Sequence, residues 1–170
     1  FEILDLSSII KKYALDTSFL NADMKNYLDK RNFITSIRLG SKYLDFAILT
    51  GKEVRPEIIE LADLYLEESK GFLLNEPNDS NVANLQRIEL LQIKEVLILG
   101  QYKKARRQIK RLEKVQIDPN NEPLYALLNY VVFKSMNDDI NAEMWKNKIS
   151  LQDFQKAQLI LNNNRYGSSN

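Results

Sequence analysis

Glycine and proline are scarce in this chain, which holds only five Gly and four Pro among its 170 residues. A β-sandwich or a β-barrel needs many tight turns, and Gly and Pro are among the residues that form them. Leu, Lys, Glu and Gln, which are good helix formers, are abundant throughout the chain. The composition therefore predicts an all-α fold.

Apolar residues recur at helical spacing between breakers, and this pattern predicts eight or nine helices. Pro56 and Pro123 stand where a proline in the first helical turn is tolerated. Gly51 and Gly100 stand where helices are expected to end. The predicted helices span about residues 4–14, 19–31, 33–50, 56–74, 81–99, 102–116, 123–136, 140–148 and 151–164.

Two segments are apolar on nearly every face, VLIL at 96–99 and LYALLNYVVF at 124–133. A helix of this kind is stable only where neighbours cover several of its faces, so both segments are predicted to lie centrally. We also interpret the aromatic side chains of Tyr130 and Trp145 as core residues rather than as binding anchors.

Gly40 lies in the middle of the apolar seam of helix 33–50, between Ile37 and Leu44. In a helix interior, glycine is about 1 kcal/mol less favourable than alanine. We therefore expect a partner helix to approach closely at Gly40, so that packing offsets this loss.

A strongly apolar helix, a short turn and an amphipathic helix follow one another in the middle of the chain. Leu99 and Gly100 precede the turn, Tyr102 and Ala105 open the amphipathic helix, and DPNN at 118–121 follows it. This alternation resembles the tetratricopeptide repeat, a helix-turn-helix unit of about 34 residues. The resemblance implies a tetratricopeptide-like α-solenoid of antiparallel helix pairs. Other α-solenoids and an irregular helical bundle are the alternatives.

A second, more degenerate unit follows the first at a shift of 37 residues. The shift aligns Gly100 with Asn137, Ala105 with Ala142, and Leu112 with Ile149. An RLGSKY string at 38–43 is also similar to the first-helix signature of the family. Repeat-like units are thus predicted at about 33–77, 81–121 and 122–150.

The chain length is typical of one domain, so we expect a single helical-repeat domain over residues 1–165. Helix 151–164 is expected to cap that domain. Residues 166–170 are expected to form a disordered tail. The chain begins at Phe1 rather than at Met, and we interpret it as part of a larger protein.

The chain contains neither His nor Cys. It therefore lacks the usual general base, every Ser-His triad and every thiolate metal site, and its few glycines do not form a phosphate-binding loop. We expect no enzymatic activity, no metal and no cofactor. The lack of Cys fits the cytoplasm or another reducing compartment, and no apolar run approaches the roughly 18 residues of a membrane span.

Positive charge is concentrated in helix 102–116. Seven cations stand against Glu113 alone, a net charge of +6, and because the whole chain carries +1 the remainder carries −5. These cations are Lys103, Lys104, Arg106, Arg107, Lys110, Arg111 and Lys114. We interpret them as a solvated face or a contact for an acidic protein surface, in preference to a nucleic-acid surface, because aromatic residues for base stacking are not interleaved with them.

The resemblance implies a groove lined by the first helix of each pair, which binds an extended or helical peptide. The polar candidates for this groove are Arg87, Gln92, Lys94, Asn129 and Lys134. Asn129 lies in an apolar helix, so its amide needs a hydrogen-bond partner in the protein or in a bound peptide. The predicted function is a protein–protein interaction module that binds a partner segment or assembles a complex. The alternative is a helical domain that contacts nucleic acid through the basic helix 102–114.

Overall fold

The chain is all-helical in the part that the structure describes. The structure is a computed structural model, which describes residues 20–75, 79 and 81–167. These residues form eight α-helices and no strand, which confirms the predicted all-α class. The predicted helix 4–14 and the last residues of the predicted tail, 168–170, lie outside the described residues. The helices are α1 (Asn21–Asp29), α2 (Phe33–Leu49), α3 (Arg55–Asn75), α4 (Asn81–Ile98), α5 (Tyr102–Leu112), α6 (Glu122–Ser135), α7 (Asp139–Lys146) and α8 (Leu151–Gly167), with a short 3-10 helix at Pro119–Asn121 between α5 and α6.

The largest difference from the predicted helix boundaries occurs in α5. This helix ends at Leu112 rather than at residue 116, so Lys114 lies in the following turn and not on the helix. The carbonyl oxygen of Gln116 accepts a hydrogen bond from the side chain of Gln86 on α4, at 3.1 Å. The chain therefore leaves α5 early and attaches to α4. At the other end, α8 continues to Gly167, past the start of the predicted tail.

Contacts divide the chain into two compact units, residues 1–77 and 78–170. In the N-terminal unit, α2 and α3 pack along most of their lengths and α1 packs against α2. The side chain of Asn32 caps α2 by accepting a hydrogen bond from the backbone N–H of Thr35 at 2.9 Å, and the backbone N–H of Asn32 donates one to Oγ1 of Thr35. These reciprocal bonds satisfy two donors that a helix N-terminus otherwise leaves unpaired.

Helices α2 and α3 approach each other closely at Gly40. A Cβ atom at this position would lie 2.9 Å from Cδ2 of Leu66 and 3.2 Å from the backbone oxygen of Ala62, both on α3. The expected close approach of a partner helix at Gly40 is therefore confirmed. By contrast, a Cβ atom on Gly71 would meet nothing within 4 Å.

The guanidinium of Arg55 closes the C-terminal end of α2. This side chain is buried and donates hydrogen bonds to the backbone oxygens of Ala47, at 3.2 Å, and Thr50, at 2.8 Å. Burial lowers the pKa of Arg55 from its usual value. The contact gives a further donor to backbone carbonyl groups at the end of the helix and places a cation at the negative end of the helix dipole.

Three buried tyrosines pack together in the same unit. The rings of Tyr43 and Tyr65 are stacked with centroids 5.4 Å apart, and Tyr27 meets Tyr65 edge to face at 5.1 Å. The hydroxyl of Tyr27 donates a hydrogen bond to the carboxylate of Glu68. Burial raises the pKa of each of the three phenols above its ordinary value. The packed unit therefore favours their neutral forms.

In the C-terminal unit, α6 is central. It packs against α4, α5, α7 and α8, and α4 packs against α5, α6 and α8. Every residue of α6 from Ala126 to Val132 is buried, as the all-round apolar pattern predicted. Tyr130 is buried in this core, whereas Trp145 on α7 is only partly covered. The expectation for Tyr130 is thus confirmed, and Trp145 has a more accessible position than expected.

The turn after α4 and the turn after α6 share one backbone geometry. Gly100 and Asn137 are the residues with positive φ, 79° and 59°, in the described part of the chain. The backbone N–H of Gly100 donates a hydrogen bond to the carbonyl oxygen of Leu97, and the N–H of Gln101 donates one to the carbonyl oxygen of Val96. The N–H of Asn137 donates to Lys134 and that of Asp138 to Phe133. Each pair of bonds forms a Schellman motif, in which a left-handed residue ends a helix. The two motifs are related by the same 37-residue shift that aligns the sequence.

Gly40→Ala should destabilise the N-terminal unit by about 1–3 kcal/mol, because the added methyl group would overpack the contact with Leu66 and Ala62. Gly71→Ala is the matched control in α3. It should stabilise the unit by up to about 1 kcal/mol, because the helix propensity of alanine is higher and the site is open. Urea unfolding midpoints measure both effects. A stabilising effect of Gly40→Ala would contradict the packing described for α2 and α3.

The tyrosine cluster should make the N-terminal unit sensitive to alkaline pH. Tyrosine ionises near pH 10 in the unfolded chain, and its pKa is higher in the folded unit. The resulting stabilisation is complete below about pH 10 and is lost as the pH rises through the folded pKa values. Tyr43→Phe should therefore make the decline in stability with pH shallower, as measured from urea midpoints between about pH 8 and about pH 11. If the decline in stability with pH were unchanged in this variant, ionisation of Tyr43 would not contribute to the alkaline sensitivity.

Candidate functional site

Helix α5 has one buried side and one cationic side. Ala105, Ile109 and Leu112 are buried and hold the helix against α4 and α6. Six of the seven predicted cations are exposed, and none of the six forms an ion pair with any residue that the structure describes. We call this surface the basic face, and it consists of Lys103, Lys104, Arg107, Lys110, Arg111 and Lys114.

Arg106, the seventh cation, has a different environment. Its guanidinium lies 3.0 Å from the carboxylate of Glu113 and 4.9 Å from the ring centroid of Phe133 on α6. The side chain is three-quarters buried. A cation over an aromatic face is attracted by the ring, so Arg106 helps to hold α5 against α6. Its charge is compensated, and we do not include it in the basic face.

The residues predicted to line a groove do not form one exposed set. Lys94 is 5% exposed and Asn129 is 2% exposed, so neither offers much surface to a partner. The amide of Asn129 donates a hydrogen bond to the backbone oxygen of Tyr125 at 2.8 Å, which is the structural alternative considered for this residue. Arg87 and Gln92 are partly covered, and Lys134 forms an ion pair with Asp139 at 3.0 Å.

Helix α8 packs against the two helices that were expected to line the groove, α4 and α6. The buried side chains of α8 include Ala157, Ile160 and Leu161. Phe154 lies 5.7 Å from the ring of Tyr130, and the amide of Gln158 donates a hydrogen bond to the Tyr130 hydroxyl at 3.2 Å. The chain's own last described helix therefore covers part of α4 and α6.

A buried amide network fixes the loop that follows α5. The oxygen Oε1 of Gln86 accepts hydrogen bonds from the backbone N–H of Asp118, at 2.9 Å, and from the amide of Asn121, at 3.0 Å. Asn121 also donates to the backbone oxygen of Ala83 at 2.9 Å, and Gln86 donates to Gln116. The residues that resemble the end of a tetratricopeptide unit are thus tied to α4.

This fixed loop forms one wall of an open cleft of about 630 Å³. The start of α6 and the end of α7 form the other walls. The apolar lining consists of Ile117, Pro119, Pro123, Tyr125, Ala126 and Trp145. Ligand sites in proteins commonly measure about 300–1,000 Å³ and have largely apolar walls with a few polar groups. The size and lining of this cleft fit that description.

Two aromatic rings and one cation give the cleft its chemical character. Tyr125 and Trp145 meet edge to face with centroids 5.5 Å apart, and the ammonium of Lys148 lies 4.5 Å from the Trp145 ring. Burial raises the pKa of Tyr125, and the charges of Glu113 and Arg106 also act on its hydroxyl. The cleft is therefore close to the C-terminal end of α5. Sequence reasoning missed it, although the only Trp of the chain and the paired prolines at 119 and 123 are signals of such a site.

Within the described ranges, no group of three or more His, Cys, Asp or Glu side chains is arranged to hold a metal ion. No helix in those ranges is both long enough and apolar enough to cross a membrane.

A scan against protein-family models found no match for the chain. Searches of curated proteins and of solved structures found no match either.

Gln86→Leu should destabilise the C-terminal unit by about 1–3 kcal/mol, because it removes the acceptor of Asp118 and Asn121 and the donor to Gln116. The exposed residue Gln155 on α8 is a control, and Gln155→Leu should change stability by less than about 0.5 kcal/mol. Urea unfolding of the two variants measures the difference. Equal stabilities would show that the network does not anchor the loop.

Proposed function

We propose that this chain is a non-catalytic interaction module whose basic face binds an acidic segment of a partner protein. The observation that carries the proposal is the set of six exposed cations on and just after α5, none of which pairs with a described acidic residue. The opposite side of α5 is buried, so the helix presents these cations from a fixed support. The lack of cysteine fits a module that works in a reducing compartment such as the cytoplasm.

We further propose that α4 with α5 and α6 with α7 are two tetratricopeptide-like pairs, with α2 and α3 as an earlier pair. The Schellman motifs at Gly100 and Asn137 support this arrangement, because they end the first helix of each pair in the same way. Ala105 and Ala142, which the shift aligns, are 0% and 2% exposed. A small buried residue at this position lets the two helices of a pair approach closely.

An acidic polypeptide fits the basic face better than a nucleic acid does. Proteins that bind single strands combine cations with exposed aromatic rings on which bases stack. Tyr102 is the one aromatic residue within α5, and it is partly covered. A duplex would be held through its phosphates alone, and such binding weakens steeply as salt rises. Nucleic-acid binding is therefore the competing function that the experiment must distinguish.

The test compares labelled ligands of similar length by fluorescence anisotropy at the same salt concentration. The ligands are a peptide of Asp and Glu residues, a single-stranded RNA and a duplex DNA. Lys103→Glu with Arg107→Glu reverses two cations one helical turn apart on the basic face. We expect this variant to weaken peptide binding by about tenfold, which corresponds to about 1.4 kcal/mol.

The matched control is Arg38→Glu with Lys42→Glu, which reverses an Arg and a Lys at the same spacing on the exposed side of α2. The control should leave peptide binding nearly unchanged. Equal losses in both variants would show that only net charge matters and would contradict a dedicated face. Tighter binding of RNA or DNA than of the peptide would favour the nucleic-acid function instead.

A further inference from the structure

The cleft next to α5 has features that the proposed function does not use. It is lined by the partly exposed Trp145, by Tyr125 and by the rings of Pro119 and Pro123, with Lys148 at its edge. An aromatic residue that packs fully into a core has no such accessible volume beside it. The cleft therefore has room for a ligand beside Trp145.

The cleft and the basic face are adjacent along the chain. Lys114 is the last cation of the basic face. Gln116 and Ile117 line the cleft and follow Lys114 by two and three residues. Two residues span at most about 7 Å of chain. The electrostatic influence of Glu113 and Arg106 on Tyr125 also indicates that the end of α5 lies near this wall of the cleft. One short ligand can therefore contact both surfaces.

The form of the cleft favours an extended peptide. Five of its lining residues are exposed, namely Gln116, Pro119, Glu122, Pro123 and Lys148, so the site is open along its rim rather than closed around a small molecule. The described residues contain no strand, so they offer no sheet edge to which a peptide could add a strand. A cleft between aromatic and proline rings is the kind of surface that binds polyproline II segments.

We propose that the cleft binds a proline-containing, extended segment of the same acidic partner whose acidic residues contact the basic face. This inference rests on the proposed function and adds the anchor that gives the contact its specificity. The prolines of the ligand would pack on Trp145 and Tyr125. In an extended segment with a rise of about 3.1 Å per residue, the nearest acidic residues would stand within about three or four positions of the prolines.

Trp145 is the only tryptophan of the chain, so its intrinsic fluorescence reports on this cleft alone. The probes are three peptides without tryptophan. The first has Asp and Glu residues on both sides of a central Pro-Leu-Pro. The second replaces Pro-Leu-Pro by Gly-Ser-Gly, and the third keeps Pro-Leu-Pro but replaces the acidic residues by Gly and Ser.

We expect the first peptide to bind at least about tenfold more tightly than the second and to change the fluorescence of Trp145, whereas the second leaves that fluorescence unchanged. Trp145→Leu, followed with a labelled peptide, should abolish the preference for Pro-Leu-Pro and leave the affinity for the second peptide unaltered. Lys148→Ala, a change of an exposed side chain, gives a second variant in which the Trp145 signal is retained.

Each other outcome has a definite meaning. If the first and second peptides bind equally and neither changes the Trp145 fluorescence, the cleft inference is overturned while the proposed function stands. If neither acidic peptide binds, the proposed function fails and the inference fails with it. If the third peptide alone changes the fluorescence, the cleft binds proline segments independently of the basic face, and the combined site is overturned.

Discussion

The packing of the C-terminal unit depends on how the chain reverses at the ends of α4 and α6. A left-handed residue at each end allows two backbone N–H groups to pair with carbonyl groups of the last helical turn. Gly100 adopts this conformation without steric penalty, and Asn137 is among the side chains that tolerate it best. The reversal sets the direction in which α5 and α7 begin. It thereby brings Ala105 and Ala142 into the core and directs the cations of α5 to the surface.

The basic face and the cleft, which are the two surfaces of the candidate site, both depend on how α5 packs and where it ends. Because α5 has only a narrow apolar side, its remaining positions must be solvated, and here most of them are cationic. The helix ends at Leu112, where the following residues turn towards Gln86 on α4. This early end leaves Ile117 and Pro119 in a fixed loop beside α6 and α7, where they form a wall of the cleft. One buried glutamine thus holds the segment that follows the basic helix and supports one wall of the cleft.

The sequence predicted those features that depend on local pattern. Helical spacing located the helices, the glycine in an apolar seam predicted the close approach at Gly40, and the all-round apolar pattern predicted that α6 is central. It could not predict features that depend on partners distant in the chain. The attachment of Gln116 to Gln86, the packing of α8 on α4 and α6, and the burial of Lys94 follow from tertiary arrangement. For the same reason, seven cations looked equivalent in the sequence, whereas Phe133 and Glu113 give Arg106 a structural role.

The length of the side chains in the basic face has a kinetic consequence. A long cation loses rotamer freedom when a ligand fixes it, at about 0.5–1.5 kcal/mol for each immobilised side chain. A ligand that locked all six would lose much of the attraction that it gained. If the face binds an acidic segment as proposed, it would favour ligands that exchange rapidly among several weak registers, and a long residence time would require a rigid anchor beside it.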